Sequence, residues 1–307
     1  MSLMRYPGGK VRLAKRIVAR LIEAWDGEIK EYREPFLGGA NVALALLRHP
    51  IGIERIWGND ADAGVGCLWT AAIRWPEWLK DRIRGFAPSV EAFYQFRDAL
   101  RALDTVPPGP EDVVEAGFMK LAVHRMSRSG LGTRSGGPMG GRDQPKGGIA
   151  SRWNRERLCR EVDDAHALLS MVEVVGDGCT SLDSGEVLKD DTEPALVYLD
   201  PPYYQKGSLL YQYSFCQDDH ERLARLLRES GHRWLLSYDD APAIRDLYAW
   251  ANLEAIEVGY SVNGCHRTKE LLITPRHDTL VRVVGDGMDG SLGAAASVAV
   301  PSVAASV

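Results

Sequence analysis

Residues 197–204 read Val-Tyr-Leu-Asp-Pro-Pro-Tyr-Tyr, an apolar run that ends on a carboxylate, two prolines and two aromatic rings. Asp200 offers an anionic acceptor. Pro201 and Pro202 have a fixed φ and no N–H, so their carbonyls are rigidly aimed acceptors. Together with the flat face of Tyr203, this set suits a planar amino group on a nucleobase. Asp200 and the Pro201 carbonyl can accept its two hydrogens while Tyr203 stacks on the ring, a contact worth about 1–3 kcal/mol per base. The competing reading is a tight proline turn with no chemical role, and the apolar strand immediately before it argues against that.

Two further elements carry chemistry. Glu34-Pro35-Phe36-Leu37-Gly38-Gly39-Ala40 is a strand-to-helix turn in which glycines admit close ligand approach. Asp60 follows Gly39 by 21 residues at the end of the next strand, where an acidic side chain holds ribose hydroxyls. The turn lacks G-x-G-x-x-G, which argues against a pyrophosphate-containing dinucleotide and leaves a nucleoside cofactor without phosphates compatible. Arg5-Tyr6-Pro7-Gly8-Gly9-Lys10 is a glycine turn opening the first helix. It is not a phosphate loop, because the G-x-x-x-x-G-K spacing is absent and Val11 stands where Ser or Thr belongs.

The elements that must position these residues follow from periodicity. Helical spacing predicts helices over Val11–Trp25, Asn41–Arg48, Arg155–Leu169 and Asp218–Ser230, with a helical stretch from about 65 to 125 broken at Val106–Pro110. Strands are expected at Tyr32–Phe36, Glu54–Gly58, Val172–Val175, Ala195–Leu199, Trp234–Ser237, Leu253–Val258 and Glu270–Thr274. Strands alternating with helices imply a mostly parallel sheet covered on both faces. The segment after Gly285 is low-complexity.

The 307 residues carry 37 basic and 42 acidic side chains, a net charge of −5, with 45% hydrophobic residues. That composition excludes a disordered chain, a collagen and a coiled coil. Five scattered cysteines without C-x-x-C spacing argue against a disulfide framework or a structural zinc site, and fit a reducing cytosol. The polar N-terminus is not a signal peptide, and no apolar run is long enough to span a bilayer. The histidines, among them His124, His220 and His266, lack metal-site spacing and read as surface or capping residues; no metal is expected. The net charge conceals an asymmetry. Between Lys120 and Arg160 ten basic residues face two acidic ones, and residues 127–148 contain eight glycines. A basic, glycine-rich island on an acidic chain is the footprint of a polyanion site, ordered on a phosphate backbone.

The three elements together resemble the Dam-like (D12 class, alpha-group) DNA adenine N6-methyltransferases, in consistent order over roughly residues 4–276. Arg5–Lys10 looks like the family's N-terminal W/Y-x-G-G-K element, which implies that Tyr6, Gly8, Gly9 and Lys10 lie beside S-adenosyl-L-methionine. Glu34–Ala40 looks like the E-P-F-x-G-x-G cofactor loop, implying contacts from Pro35, Phe36, Gly38 and Gly39; Ala40 replaces the last glycine. Asp60 matches the ribose-binding acid, and Asp177 falls where the family places a polar residue near the cofactor adenine. Asp200–Tyr203 is identical to the DPPY motif. This implies that Asp200, Pro201, Pro202 and Tyr203 are catalytic, with Asp200 also facing the cofactor.

His124–Pro138 resembles the family's target-recognition stretch without its asparagines, so a GATC target does not follow. The implied DNA contacts are Arg5, Arg125, Arg128, Ser129, Arg134, Arg142, Lys146, Arg152, Asn263, Arg267 and Lys269. The resemblance implies an α/β, Rossmann-like S-adenosylmethionine-dependent methyltransferase sheet from residues 1–62 and 170–276, an inserted helical target-recognition domain over 63–169, and a tail at 285–307. Double-stranded DNA is the implied partner of a cytoplasmic monomer or homodimer, with no membrane. Two alternatives stay open: methylation of RNA adenine or a protein glutamine amide, which use related N/D-P-P-Y/F sites, and a DNA-binding regulator on a dead scaffold.

Overall fold

The computed structural model describes residues 3–4, 13–25, 27–128, 132, 137–144, 148–175, 188, 194–205, 214–260 and 266–276, the side chains of 173–175, 258–260 and 266–268 excepted. Seven strands form one sheet: β1 (Glu31–Glu34), β2 (Arg55–Gly58), β3 (Glu173–Val175), β4 (Leu196–Leu199), β5 (Arg233–Asp239), β6 (Asn252–Tyr260) and β7 (His266–Thr274). Their order is β3-β2-β1-β4-β5-β7-β6, with the first five parallel and β7 antiparallel to both β5 and β6. This is the Rossmann-like methyltransferase sheet expected from the sequence. The antiparallel β6–β7 edge is the part that periodicity did not reveal.

Helices cover both faces because the strands are apolar on both. One face packs against α1 (Ala14–Ala24) and α2 (Asn41–Leu46), through Ile17, Val18 and Leu21 on Tyr32, Leu196 and Leu235. The other, built on Val197, Leu199 and Leu236, packs against α8 (Gln217–Glu229) and α9 (Pro242–Leu247). α9 went unread because its six residues place a single side chain, Ile244, in the core, whereas α2 of equal length buries four. Between β2 and β3 run α3 (Ala63–Arg74), α4 (Pro76–Gly85), α5 (Val90–Arg101), α6 (Pro110–Met126), a 3₁₀ turn at Ile149–Arg152 and α7 (Arg155–Leu169). Their starts are written locally. Asp62, Ser89 and Asn154 cap α3, α5 and α7 with side-chain oxygens, and Pro76 and Pro110 open α4 and α6. Leu68, Phe118, Leu121 and Val162 of these helices belong to the same hydrophobic cluster as the α1 face of the sheet. The inserted helices therefore extend the main core. Among the described residues, no helix is long and apolar enough to cross a membrane.

Candidate functional site

Strand order reverses between β1 and β4, which pair in parallel through Tyr32–Leu196 and Arg33–Val197. In open α/β sheets this switch point, at the carboxyl ends of the strands, is where a ligand crevice forms. It releases two motifs side by side: Glu34–Ala40 from β1 and Asp200–Tyr203 from β4. The acid Asp60 leaves β2 next door.

The β1 loop is held by backbone and side-chain bonds. Leu37 N–H donates to the Asn59 carbonyl at 2.8 Å, Ala40 N–H to the Leu37 carbonyl at 2.7 Å, and Trp69 Nε1 to the Gly38 carbonyl at 2.9 Å. Gly38 and Ala40 both adopt positive φ, 46° and 49°, so a non-glycine occupies the left-handed region immediately before α2. Asp60 closes the loop: Oδ2 accepts from Gly38 N–H at 2.8 Å and Oδ1 from Asp62 N–H at 2.9 Å. Burial, reinforced by the neighbouring Asp62 charge, pushes the Asp60 carboxyl up to about 6. Pro35 and Gly39 are buried, and Phe36 is half-buried with its ring edge-on to Phe215 at 5.7 Å.

These residues fit a nucleoside cofactor. Each Asp60 oxygen keeps a second lone pair for a hydroxyl donor, Gly38 and Gly39 present no side chain to a ligand, and Phe36 offers a ring. No basic residue occurs from Glu34 to Leu47, as a pyrophosphate would favour. Glu34 itself is a buried acid. Its Oε2 accepts from the Tyr32 hydroxyl at 2.8 Å and from Ala43 N–H at 2.9 Å. Burial raises it to about 8, and the charges of Asp200 and Asp60 add to that rise, placing all three acids within electrostatic reach.

On β4, Asp200 is half-buried and Pro201 and Pro202 are buried. The Ser237 hydroxyl donates to Asp200 Oδ1 at 2.9 Å and lies 3.0 Å from the Tyr198 hydroxyl. The turn after DPPY is pinned by Asp239, whose two oxygens accept from Tyr204 N–H and Gln205 N–H at 2.9 Å each. Tyr203 is half-buried and lies 6.3 Å from the Tyr238 ring. Tyr238 in turn contacts His220 Nδ1 through its hydroxyl at 2.6 Å. Ser237 and Asp239 went unread in the sequence. The available signal was their place at the end of the strand that pairs with β4.

The expected DNA contacts separate into groups. Arg128 and Arg142 are exposed, Arg142 lying over the Tyr94 ring at 5.8 Å. Arg128 follows α6, where Ser127 bridges Pro138 and the Met126 carbonyl accepts from Met139 N–H at 2.7 Å. Arg152 reaches back to the Ser127 carbonyl at 3.1 Å, and Lys269 is exposed on β7. Arg125 requires a correction. It is buried, donates to the Leu3 carbonyl at 2.6 and 2.9 Å and pairs with Glu161 at 2.5 Å, so it braces the interior and does not meet a phosphate. Lys120 of the basic island is likewise buried, paired with Asp62. His124 and His220, expected as surface or capping residues, are buried, in the last turn of α6 and the first turn of α8; burial lowers the His220 pKa and favours its neutral form. Arg5, Tyr6, Gly8, Gly9, Lys10, Ser129, Arg134, Lys146, Asp177, Asn263, the side chain of Arg267 and the tail lie outside the described residues.

Comparison with known proteins adds one decisive match: a family model for D12 class N6 adenine-specific DNA methyltransferases covers residues 6–262. No curated protein matches the chain. Two structures of the rRNA methyltransferase aviRa from Streptomyces viridochromogenes are similar in outline. The first shares 15% identity over 91% of this chain and 90% of the other, with a TM-score of 0.41. The second shares 14% over 88% and 86%, with a TM-score of 0.37. At those values neither bears on fold or substrate. The family match spans both switch-point motifs and Asp60, and the chain belongs to the D12 class N6 adenine-specific DNA methyltransferase family.

Proposed function

We propose that the protein transfers a methyl group from S-adenosylmethionine to N6 of an adenine flipped out of double-stranded DNA. The observation that carries this reading is Asp200, fixed by Ser237 at the end of β4, beside the Glu34–Ala40 loop and Asp60. Asp60 would hold the ribose hydroxyls, and Phe36, Gly38 and Gly39 would line the nucleoside. The bound cofactor supplies an electrophilic methyl group on sulfonium sulfur.

The remaining work falls to the chain. Adenine N6 is a poor nucleophile because its lone pair is delocalised into the purine. Asp200 and the Pro201 carbonyl accept its two N–H bonds, which favours a pyramidal nitrogen and localises that lone pair. The same two acceptors stabilise the positive charge that develops on N6 as the sulfur–methyl bond breaks, and the surplus N6 proton then leaves by way of Asp200 to water. By analogy with oxyanion-hole donors, one such bond is worth about 3–4 kcal/mol in the transition state. Tyr203 stacks on the base, and Pro202 keeps the turn rigid. Within a duplex N6 is paired and stacked, so extrusion is required, at a cost of a few kcal/mol. Exposed Arg128 and Arg142, with the basic segment around them, supply phosphate contacts that set orientation on the duplex.

The test is transfer of a labelled methyl group to duplex DNA, RNA and protein in parallel. Label at adenine N6 in duplex DNA is expected, and Asp200→Ala should reduce it at least about 100-fold while the fold and cofactor affinity persist. Near-normal turnover by that variant, or label confined to RNA or protein, overturns the proposal.

A further inference from the structure

Asp60 and Asp62 sit two residues apart on one turn at the carboxyl edge of β2. Asp62 N–H donates to Asp60 Oδ1, and the Asp62 side chain caps α3 by accepting from Gly64 N–H at 3.0 Å and Val65 N–H at 3.3 Å. Two carboxylates this close repel each other, and burial sharpens the repulsion. The Lys120 ammonium, reaching across from the middle of α6, is paired with Asp62 Oδ2; its side chain is 2% exposed.

The packing is built around that lysine. A Cβ on Gly64 would lie 3.0 Å from Lys120 Cδ, and a Cβ on Gly117 would lie 2.8 Å from the Cys67 carbonyl oxygen. Glycine at both positions lets α6 approach α3 backbone to backbone, so the lysine stem crosses the first turn of α3. The charged and titratable groups around the turn are Glu34 from β1, Cys67 from α3, and Lys120 and His124 from α6. Among these Lys120 carries the fixed positive charge. Burial pushes the Asp62 carboxyl up, but the Lys120 charge and hydrogen bond, helped by His124, bring it below the usual range.

We propose that Lys120 is a positioning residue for the cofactor site: by neutralising Asp62 it keeps Asp60 ionised and oriented for the ribose hydroxyls, and it makes α6 part of that site's support. The proposal rests on the reading of Asp60 given above. A capping role alone would be filled by a neutral side chain at position 62. The buried ion pair adds a charge balance that an ionised Asp60 requires. Six residues beyond Lys120, α6 ends at Met126 and leads into the basic segment.

The test is the affinity of the full chain for S-adenosylhomocysteine, measured calorimetrically from pH 5.5 to 8.5. Wild-type affinity should fall as pH drops through about 6, where Asp60 takes up a proton. Lys120→Met should move that midpoint up by roughly one pH unit, the size expected when an opposite charge is removed, and so weaken binding about twofold at pH 7 and nearly tenfold at pH 5.5. Lys120→Arg should restore the profile. Asp62→Asn, which removes the repelling charge, should move the midpoint down, so the test survives even if Lys120→Met fails to fold. Midpoints that stay with wild type in the folded variants overturn the proposal. A wild-type protein that does not bind the probe, or an Asp60→Ala variant that binds it normally, overturns instead the reading of Asp60.

Discussion

At the residue scale, the site combines acids whose environments hold them differently. Glu34 is raised to about 8 by burial, against an ordinary 4.5 for glutamate, so at neutral pH it is mostly protonated in the folded protein. The folded state thus binds one more proton than the unfolded chain between those values, and stability falls as pH rises through that window. Glu34→Gln keeps an amide oxygen for the Tyr32 hydroxyl and Ala43 N–H, and should flatten this decline in urea denaturation from pH 4.5 to 8. A variant that loses stability as steeply as wild type would show that Glu34 does not titrate there. Ser237 is the second test case. A hydrogen bond to a charged group is worth about 1.5–3 kcal/mol, so Ser237→Ala should lower kcat by about tenfold or more while the KM for cofactor changes little. The DPPY acid was legible in the sequence because its partners follow it directly along the chain. Ser237 was not, since it reaches Asp200 from the neighbouring strand.

At the scale of elements, the cofactor loop carries a local conflict. Ala40 precedes α2 with φ 49° and ψ 30°, where an L side chain costs roughly 1–2 kcal/mol. Glycine removes that cost but adds freedom to the unfolded chain. Ala40→Gly should therefore stabilise the protein by up to about 1 kcal/mol, seen as a higher denaturation midpoint; a lower midpoint would show that the alanine methyl contributes packing that outweighs the strain. The sequence signalled this turn through Gly38 and Gly39, and the glycine that the family loop carries at position 40 was the sign that Ala40 would share the left-handed conformation of Gly38. The starts of α6 and α7 were read at the Val106–Pro110 break and at Arg155, whereas Pro76 and Ser89, which open α4 and α5, went unread because apolar residues continue at helical spacing on both sides of them.

At the scale of the whole molecule, the basic island divides into an inside and an outside. Arg128 and Arg142 are exposed, whereas Arg125 and Lys120 neutralise Glu161 and Asp62 in the interior. Replacing Arg128 and Arg142 by glutamine should weaken duplex binding and reduce the slope of log K against log salt by about 0.9 for each phosphate that is no longer neutralised. Arg125→Gln should leave that slope alone and instead destabilise the fold, by less than the about 3–5 kcal/mol of a fully stranded charge, because Arg157 still pairs with Glu161 at 2.9 Å. Equal slopes in wild type and the exposed-arginine variant would remove those residues from the DNA surface.

The sequence by itself determined the chemistry and most of the elements: DPPY on an apolar strand, the glycine turn with its following acid, and the helices, all written in contiguous residues and short periods. Only the tertiary structure decided that β1 and β4 lie side by side, so that Asp200 and the Glu34–Ala40 loop leave neighbouring strand ends. It also decided that β6 and β7 turn antiparallel, and that cations of one basic island part ways, Lys120 turning inward to the turn bearing Asp60 while Arg128 stays in solvent. The physical reason is range. Propensity, capping and periodicity act over a few residues, whereas strand pairing and the burial of a charge depend on partners far away along the chain.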